Sequence, residues 1–252
     1  MRYKRKMTSA VDSGVPSHGR IPKHYAVKAQ LLSLLAELGV GALLPAEREL
    51  AARYGVARST VRLAIQELTV EGRLNAYRGR GTFVAPPKLI QPLGLVSYTE
   101  AVREQGRRPG RRVVTVETRA PGPGLAADLR IDPQTHVLHL ERVLLADDEP
   151  LGLESTYLPV SRFPDLLDGF DPTTSLYRHV GERYNLVYTE ARERIETVLA
   201  TPRDAHLLET NPSTPMLLIQ RLSVDQRGEP IEWVRSLYRG DRIGFETVLR
   251  VD

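Results

Sequence analysis

Two short helical patterns lie around a glycine-containing turn in residues 44 to 85, and this arrangement constrains the fold more than any other feature of the chain. Pro45 opens the first pattern, which runs from Ala46 to Tyr54 and ends at Gly55. The second pattern runs from Arg58 to Val70. Its apolar residues recur at helical spacing, and they are Val61, Ala64, Ile65 and Leu68. Two helices joined by so short a turn predict a helix-turn-helix, whose second helix enters the major groove of DNA.

A further helix is predicted before this pair and a small hairpin after it. Apolar residues between Tyr25 and Leu38 have helical spacing. Short strands are predicted from Leu74 to Tyr77 and from Thr82 to Val84, around the turn Arg78-Gly79-Arg80-Gly81. Glycine in such a turn permits positive φ and a close approach of the backbone to a ligand. Three helices and a hairpin predict a winged helix-turn-helix over residues 23 to 85.

The two parts of the chain differ in charge. Counting Lys, Arg, Asp and Glu, residues 1 to 88 have a net charge of +9 and residues 89 to 252 a net charge of −5. A basic part favours contact with nucleic acid, because neutralising backbone phosphates releases condensed counterions. Residues 1 to 22 are polar and basic without an apolar period, which predicts a disordered arm.

Composition excludes several classes of protein. Hydrophobic residues make up 41% of the chain, which supports packed cores, yet no apolar run approaches the roughly 20 residues that cross a bilayer. The N-terminus has no apolar stretch of the kind found in secretory signals, so we expect a cytoplasmic protein with no membrane partner. The chain has no Cys, which excludes disulfides and thiolate metal sites. We expect no metal and no cofactor.

Three prolines between residues 86 and 94 predict a semi-rigid linker, after which residues 95 to 252 form a second domain. The predicted strands of this domain are Val113 to Thr118, Val137 to Ala146, Leu151 to Tyr157, Met216 to Val224 and Ile231 to Tyr238. The predicted helices are Ser97 to Glu104, Ser175 to Tyr184 and Pro202 to Glu209, the last capped by Thr201. This mixture predicts the α+β class.

The segments ERVLLADDEPLGLES and QRLSVDQRGEPIEWVRS look like two copies of one antiparallel hairpin. Each has an Arg before the turn and Glu-Pro after it. An internal duplication is one explanation, and strand patterning alone is the other.

The segments LPAEREL, GVARSTVRLAIQEL and EGRLNAYRGRGTFV resemble the winged-helix domain of GntR-family bacterial regulators. The second domain, with LERVLLADDEPLGLESTYLP and IEWVRSLYRGDRIGF, resembles the UTRA effector-sensing domain of the HutC subfamily. Within that subfamily the chain looks closest to the DasR-type regulators of N-acetylglucosamine utilisation. The resemblance implies that residues 95 to 252 form a chorismate-lyase-like antiparallel sheet with helices, which binds an effector and forms a dimer.

The resemblance implies that seven residues contact DNA, namely Arg48, Arg58, Ser59, Thr60, Arg62, Arg78 and Gly79. Their chemistry agrees, since an Arg fork matches guanine O6 and N7 and hydroxyls suit phosphate oxygens. The alternative is that Arg48 and Arg62 only pair with acids nearby, which are Glu47, Glu49 and Glu67. Two positions depart from the family pattern, because Ala46 and Ala57 stand near helix starts where many relatives have Ser or Thr. Each alanine forgoes a side-chain cap worth about 1 kcal/mol.

For the second domain the resemblance implies an effector pocket of nine residues, namely Ser97, Thr99, Arg142, Glu154, Ser175, Tyr177, Arg221, Glu232 and Tyr238. These types suit a phosphorylated amino sugar, since Arg and hydroxyls bind phosphate, carboxylates accept hydroxyls or an ammonium, and Tyr rings cover a sugar face. Phosphosugar-binding relatives can carry a second basic residue two places after the first Arg, where this chain has Leu144. An ordinary sheet or interface role is the alternative for each residue.

An enzyme is a further alternative, because the UTRA fold resembles chorismate lyase. Asp147 and Asp148 are adjacent acids, but they lie in a predicted hairpin turn where the backbone favours Asp. His136 and His139 are three apart on a strand and therefore on opposite faces. The sequence has no Ser/His/Asp set and no metal-ligand spacing, so we predict that the chain is not an enzyme.

These features predict a homodimeric, sequence-specific transcription regulator, mainly a repressor, of amino-sugar uptake and metabolism. It would bind a palindromic double-stranded operator, with an affinity modulated by glucosamine 6-phosphate or N-acetylglucosamine 6-phosphate. Two alternatives stay open. A regulator of this class could sense a histidine-pathway metabolite, a fatty acid or another sugar phosphate; or the first domain could bind nucleic acid without sequence selection while the second mediates protein association.

Overall fold

The computed structural model describes residues 22–77 and 79–249. By their contacts they divide into two compact units, of which the first comprises residues up to 68 together with 76–84, and the second comprises 69–75 and everything from 85 onward. The predicted arm over residues 1 to 22 lies outside the described residues, except for Pro22. The N-terminal elements are α1 (Lys23–Leu38), α2 (Glu47–Tyr54), α3 (Arg58–Val70), β1 (Leu74–Tyr77) and β2 (Gly81–Val84).

Each of the three helices buries one face. The buried residues are Val27, Leu31, Leu34 and Leu35 of α1, Leu50 and Ala51 of α2, and Val61, Ala64, Ile65 and Leu68 of α3. Helix α2 ends at Gly55, which has a φ of 64° and donates its N–H to the carbonyl of Ala51. Glycine adopts this left-handed geometry at little cost, which turns the chain into α3. The predicted helix-turn-helix is confirmed.

The segment before α2 pairs with the edge of the β1–β2 hairpin, where Leu43 forms an isolated antiparallel bridge with Phe83. Gly81 starts β2 with a φ of 106°, and a Cβ there would lie 2.7 Å from Leu43 Cδ1. The backbone angle therefore favours glycine at this position, while the exposed Leu43 side chain could move away from a Cβ. The wing is present as predicted, and Arg78 lies outside the described residues.

The second unit contains a six-stranded antiparallel sheet with the strand order β4-β5-β6-β9-β8-β7. Its strands are β4 (Pro109–Arg119), β5 (Val137–Ala146), β6 (Glu149–Pro159), β7 (Tyr188–Leu199), β8 (Pro215–Asp225) and β9 (Pro230–Arg239). Its helices are α4 (Tyr98–Glu104), α5 (Pro123–Asp128), α6 (Leu176–Tyr184) and α7 (Pro202–Leu207). A separate parallel pair joins β3 (Leu89–Pro92) to β10 (Ile243–Glu246). The α+β class predicted from the sequence is confirmed.

Apolar clusters cover both faces of this sheet, as alternation along the strands requires. On one face, Leu144 of β5 packs with Tyr98 of α4, and Leu140 of the same strand packs with Leu176 of α6. On the other face, residues of α7 and the segment after it pack on the sheet, in a cluster of Val143, Leu153, Ala205, Leu208 and Leu237. Helices α4 and α6 therefore share one side of the sheet, and this is the side that carries the cleft described below.

The two similar sequence segments form two hairpins, β5–β6 and β8–β9, which lie side by side because β6 pairs with β9. The first turn contains Asp147 and Asp148, both with positive φ. Asp147 accepts hydrogen bonds from the backbone N–H of Arg108 and from Arg107 Nε, both at 2.8 Å. These paired acids serve the turn, in agreement with their interpretation as backbone-favoured residues.

Four elements are absent from the sequence prediction: β3, α5, β7 and β10. Strand β3 lies inside the segment predicted as a linker, so residues 86 to 94 are not only a spacer. Its four residues pair with β10 alone, and Pro92 at its end needs no ladder donor. Strand β7 lies at the edge of the sheet and is mostly exposed, with charged residues in place of an apolar pattern. Predicted bounds elsewhere differ from the structure by a few residues at most.

Candidate functional site

The predicted DNA-binding residues that the structure describes all lie in the first unit. Six of the seven are described, and all six retain accessible surface: Arg48, Arg58, Ser59, Thr60, Arg62 and Gly79. Thr60 is half-buried and the other five are exposed. They lie on the solvent side of α2, α3 and the wing because the apolar residues of the same helices occupy the opposite side. The seventh, Arg78, lies outside the described residues.

Arg62 is held at this surface by Glu47. Its Nη2 donates to Glu47 Oε2 at 2.7 Å, and its Nε donates to both carboxylate oxygens. Arg58 Nη2 lies 3.9 Å from the same carboxylate. The hydrogen bonds from Arg62 lower the pKa of Glu47, so the acid stays ionised. The alternative of pairing with a nearby acid is thus realised for Arg62, whose side chain is still 55% exposed and able to exchange the carboxylate for a phosphate or a base.

The wing presents one arginine that was not among the predicted contacts. Arg80 is exposed, and its guanidinium carbon lies 5.6 Å from the centre of the Tyr77 ring. Tyr77 in turn contacts Phe83 edge to face, with 5.8 Å between ring centres. This stacking orients a cation at the tip of the hairpin. The turn Arg78-Gly79-Arg80-Gly81 contains this second arginine, so the sequence did carry a signal for it.

The second unit contains a cleft on the sheet face shared by α4 and α6. The space in it, including open solvent at its mouth, is about 700 Å³. Seven of the nine predicted effector residues line it: Ser97, Arg142, Glu154, Ser175, Tyr177, Arg221 and Tyr238. They come from both hairpins and from the starts of both helices. Residues far apart in the sequence therefore converge on one cleft.

Arg142 of β5 lies at the bottom of the cleft. Its Nη2 donates to Glu154 Oε1 at 2.5 Å, and Glu154 is its direct neighbour across the β5–β6 register. Its Nη1 donates to the carbonyl of Thr174, just before α6, at 3.1 Å. Burial raises the pKa of Glu154, but the positive charges of Arg142 and Arg111 outweigh it, so the pKa lies below its usual value. The pair is ionised and fixes the base of the cleft.

Arg221 of β8 holds the opposite wall. Its guanidinium donates to Glu193 Oε1 at 2.5 Å and to the Tyr177 hydroxyl at 2.9 Å. A third hydrogen bond, to the carbonyl of Gly94, has a length of 3.2 Å. Tyr177 stacks on Tyr188 with 4.3 Å between ring centres. The arginine thereby fixes an aromatic ring at the wall, where it can cover the apolar face of a ligand.

Two predicted effector residues lie behind the lining. Thr99 is buried, and its Oγ1 accepts a hydrogen bond from Arg111 Nη1 at 3.0 Å. Glu232 is fully buried, and Ser223 Oγ donates to its Oε1 at 3.2 Å. Burial raises the pKa of Glu232 to about 7, since desolvation penalises the charged form. Thr99 therefore acts on the cleft through Arg111, and Glu232 lies beneath it as a partly protonated acid.

Several lining residues were not predicted, and Arg111 is the most prominent. It lies on β4, directly opposite Leu144 in the register, and the sequence-based strand began only at Val113. Gln91 reaches the cleft from β3, in the segment taken for a linker. A signal for Arg111 was present in the Arg-Arg pair before the predicted strand, but only the register shows which of the two faces the cleft.

Neither a metal nor a membrane is indicated by the described residues. No group of three or more His, Asp or Glu within 22–77 and 79–249 is arranged to hold a metal ion. In the same part of the chain, no helix combines the length and the apolar character that crossing a bilayer requires.

Comparison with known families accounts for both units. The family described as bacterial regulatory proteins, gntR family, matches residues 25–84. The UTRA domain matches residues 104–243, and this match alone covers more than half of the chain. The chain belongs to the GntR family. The UTRA domain agrees with the HutC subfamily recognised from the sequence. GntR regulators bind DNA and UTRA domains bind small-molecule effectors, so the N-terminal unit matches a DNA-binding domain and the second unit an effector-binding domain.

Relatives of this GntR regulator are transcription factors. The HTH-type transcriptional repressor PhnF of Mycolicibacterium smegmatis is 45% identical, covering 91% of this chain and 93% of the relative. The repressor NagR of Bacillus subtilis is 37% identical, covering 89% and 93%. The crystal structure of PhnF aligns with a TM-score of 0.67 and 44% identity, covering 90% of this chain and all of that one. The relatives are regulators and not enzymes, as predicted.

Proposed function

We propose that this regulator is a homodimeric repressor of amino-sugar uptake and metabolism. Its affinity for a palindromic operator is modulated by glucosamine 6-phosphate or N-acetylglucosamine 6-phosphate in the UTRA cleft. The observation that carries this proposal is the cleft itself, where three guanidinium groups lie beside hydroxyl, carboxylate and tyrosine side chains. That set matches a ligand with a phosphoryl group, hydroxyls and a sugar face.

The chemistry of the cleft favours an anionic, polar ligand over a fatty acid. Arg111, Arg142 and Arg221 all line it, as do Ser97, Ser175 and Ser236. An acyl chain requires a continuous apolar lining, which these side chains interrupt. The resemblance to DasR-type regulators and the 37% identity to NagR support the amino sugar among phosphorylated ligands.

The N-terminal unit supports sequence-specific binding because arginines and hydroxyls are grouped at the start of α3 and on the wing. A dimer with twofold symmetry reads a palindrome, with half-sites spaced by about one helical turn or a multiple of it. Effector binding then favours dimers whose reading heads are spaced wrongly for adjacent grooves. The difference in ligand affinity between the two states limits the response.

The DNA-binding part is tested by selecting an operator from random duplexes with the full-length protein. We expect the protein to bind the selected site about a thousandfold more tightly than random DNA at physiological salt. Arg58→Ala and Arg62→Ala should each weaken operator binding by roughly 1 to 3 kcal/mol. Arg194→Ala, which removes an exposed arginine from β7 in the other unit, is the control and should bind like the wild type. A competition ratio near one would favour a non-specific nucleic-acid-binding module.

The effector is tested by thermal shift and gel shift on the full-length protein. Glucosamine 6-phosphate and N-acetylglucosamine 6-phosphate should stabilise it at millimolar concentration and change its affinity for the selected operator. Other sugar phosphates, histidine derivatives and acyl compounds form the comparison set. If one of those compounds raises the melting temperature of the protein while neither amino-sugar phosphate does, the regulator class stands and the amino-sugar assignment is wrong.

A further inference from the structure

Four hydrogen-bond donors in the cleft are buried without a partner among the described residues. They are Gln91 Nε2, Tyr98 Oη, Arg111 Nε and Arg142 Nε. The residues that carry them all line the same cavity. Buried polar atoms in folded proteins are almost always hydrogen-bonded, because leaving one unpaired costs free energy. Four unpaired donors in one cavity indicate a site where a ligand rich in hydrogen-bond acceptors would be bound.

The charges at this end of the cleft do not balance. Arg142 is neutralised by Glu154 at 2.5 Å. Arg111 has no carboxylate partner among residues 22–77 and 79–249, and its polar contacts there are Thr99 Oγ1 and the face of the Tyr98 ring. Burial lowers the pKa of Arg111 and the nearby charge of Arg142 lowers it further. Glu154 faces both arginines, so one positive charge is left over, and a half-buried cation without an ion-pair partner is a site where an anion is stabilised.

The strand register explains how this cation reaches the cleft. Arg111 of β4 lies opposite Leu144 of β5, two places after Arg142. Paired residues on neighbouring antiparallel strands point to the same face, so the Arg111 side chain lies over Leu144 and beside Arg142. The basic residue missing at Leu144 is therefore supplied from the adjacent strand. Thr99 holds its Nη1 in place.

We propose that Arg111 and Gln91 complete, with Arg142, a subsite that selects a doubly charged phosphoryl or phosphonyl group. This rests on the proposed role of the cleft as the effector site. Among the described residues the Nε donors of both arginines and the Gln91 amide are unpaired, and the charge of Arg111, which has no ion-pair partner there, favours a dianion over a monoanion of the same shape. Gln91 belongs to β3, whose position in the chain directly follows the DNA-binding unit.

The test compares two ligands of one shape and different charge. Titration calorimetry on the full-length protein at pH 7.5 measures binding of glucosamine 6-phosphate, largely a dianion, and glucosamine 6-sulfate, a monoanion. We expect the wild type to prefer the phosphate by about tenfold or more. Arg111→Met should weaken phosphate binding by about 10- to 100-fold and remove most of the preference. Arg111→Lys, which keeps the charge without the fork, should lie between the two.

Arg112→Met is the matched control, because Arg112 is the next residue on β4 and faces the other side of the sheet. There it donates to the carbonyl of Leu207 at 2.9 Å. This variant should keep wild-type affinity and preference. Without ligand, Arg111→Met should melt no lower than the wild type, since it removes a half-buried charge that has no ion-pair partner in the described part of the chain. A variant that melts normally and still prefers the phosphate would overturn the subsite.

Inorganic phosphate and methylphosphonate separate this inference from the proposed function. If the wild type ignores both amino-sugar phosphates but binds either small dianion, and Arg111→Met does not, the subsite stands and the amino-sugar assignment fails. If the wild type binds glucosamine 6-phosphate and glucosamine 6-sulfate equally, the amino-sugar assignment stands and dianion selection fails. If the wild type binds neither amino-sugar phosphate and neither small dianion, both proposals are overturned.

Discussion

The two halves of the six-stranded sheet have the same order of elements but a different arrangement of charge. The first half runs α4-β4-α5-β5-β6 and the second runs α6-β7-α7-β8-β9. Each has one arginine on its middle strand, Arg142 or Arg221, facing the cleft. Arg142 pairs with Glu154 on the inner strand β6, and a valine lies opposite it on the outer strand β4. Arg221 instead pairs with Glu193 on the outer strand β7, and a valine lies opposite it on the inner strand β9. One architecture therefore admits two placements of the same ion pair.

The remaining charges make the halves unequal. The first half carries Arg111 opposite Leu144, while the second has Ala191 opposite Ser223. The second half instead contains Glu232, buried on β9 beneath Tyr177. The first half thus has an excess positive charge and the second an excess acid. This polarity suits a ligand that is anionic at one end and carries hydroxyls or an amine at the other.

The largest effect is expected from breaking the ion pair of the first half. Arg142→Met leaves Glu154 buried and unpaired, which should lower the free energy of unfolding by about 3 to 5 kcal/mol. Arg221→Met should cost less, because the Arg221 side chain is 18% exposed against 3% for Arg142. Urea unfolding followed by fluorescence of Trp233, the single Trp and a residue of β9, measures both.

The double variant Arg142→Met, Glu154→Leu is the control for this comparison. Replacing a buried pair with apolar residues of similar volume is often close to neutral, so most of the lost stability should return. Equal losses in Arg142→Met and Arg221→Met would show that the two pairs are energetically equivalent despite their different burial. A double variant as unstable as the single one would assign the loss to packing and not to the unpaired acid.

The next effect is opposite pH dependence of the two buried acids. Glu232 has a pKa raised by burial to about 7 from the usual 4.5, so the folded protein loses stability as pH rises between those values, and the loss is complete above the folded pKa. Glu232→Gln removes this loss. Its gain over the wild type should be small at pH 5 and on the order of 3 kcal/mol at pH 8.5.

Glu154→Gln provides the contrast. The pKa of Glu154 lies below 4.5, so its stabilisation is present above that value and is lost only at lower pH. This variant should be destabilised by a nearly constant amount from pH 5.5 to 8.5. Unfolding measured at several pH values decides the matter: if the stability of Glu232→Gln relative to wild type does not change with pH, Glu232 is ionised throughout that range.

Much of the fold could be predicted where periodicity and boundaries agree. Helix α3 and strand β5 have the predicted bounds, since one carries a clear apolar stripe and the other is a continuous apolar run that ends at a turn. Strand β7 was missed because an exposed edge strand needs no apolar pattern. Strand β3 was missed because its prolines suggested a spacer, while its pairing depends on β10, about 150 residues later.

The candidate site shows the same division. The family motifs identified Arg142, Glu154 and Arg221, and the sheet brings them to one cleft. Arg111 and Gln91 could not be placed, because their contribution depends on register and on a tertiary pairing that no local pattern encodes. The two similar hairpins were visible in the sequence, but the sequence did not show that the acid paired with the arginine lies on β6 in one half and on β7 in the other.

The smallest effect is expected at two equivalent helix starts. Ser97 caps α4 and Ser175 caps α6, each accepting a hydrogen bond from the backbone N–H three residues later. Ser97→Ala and Ser175→Ala should each lower the free energy of unfolding by about 1 kcal/mol. Distant caps contribute independently, so the double variant should lose the sum within about 0.5 kcal/mol. A loss well away from the sum would mean that the cleft couples the halves even without ligand, since both serines line it.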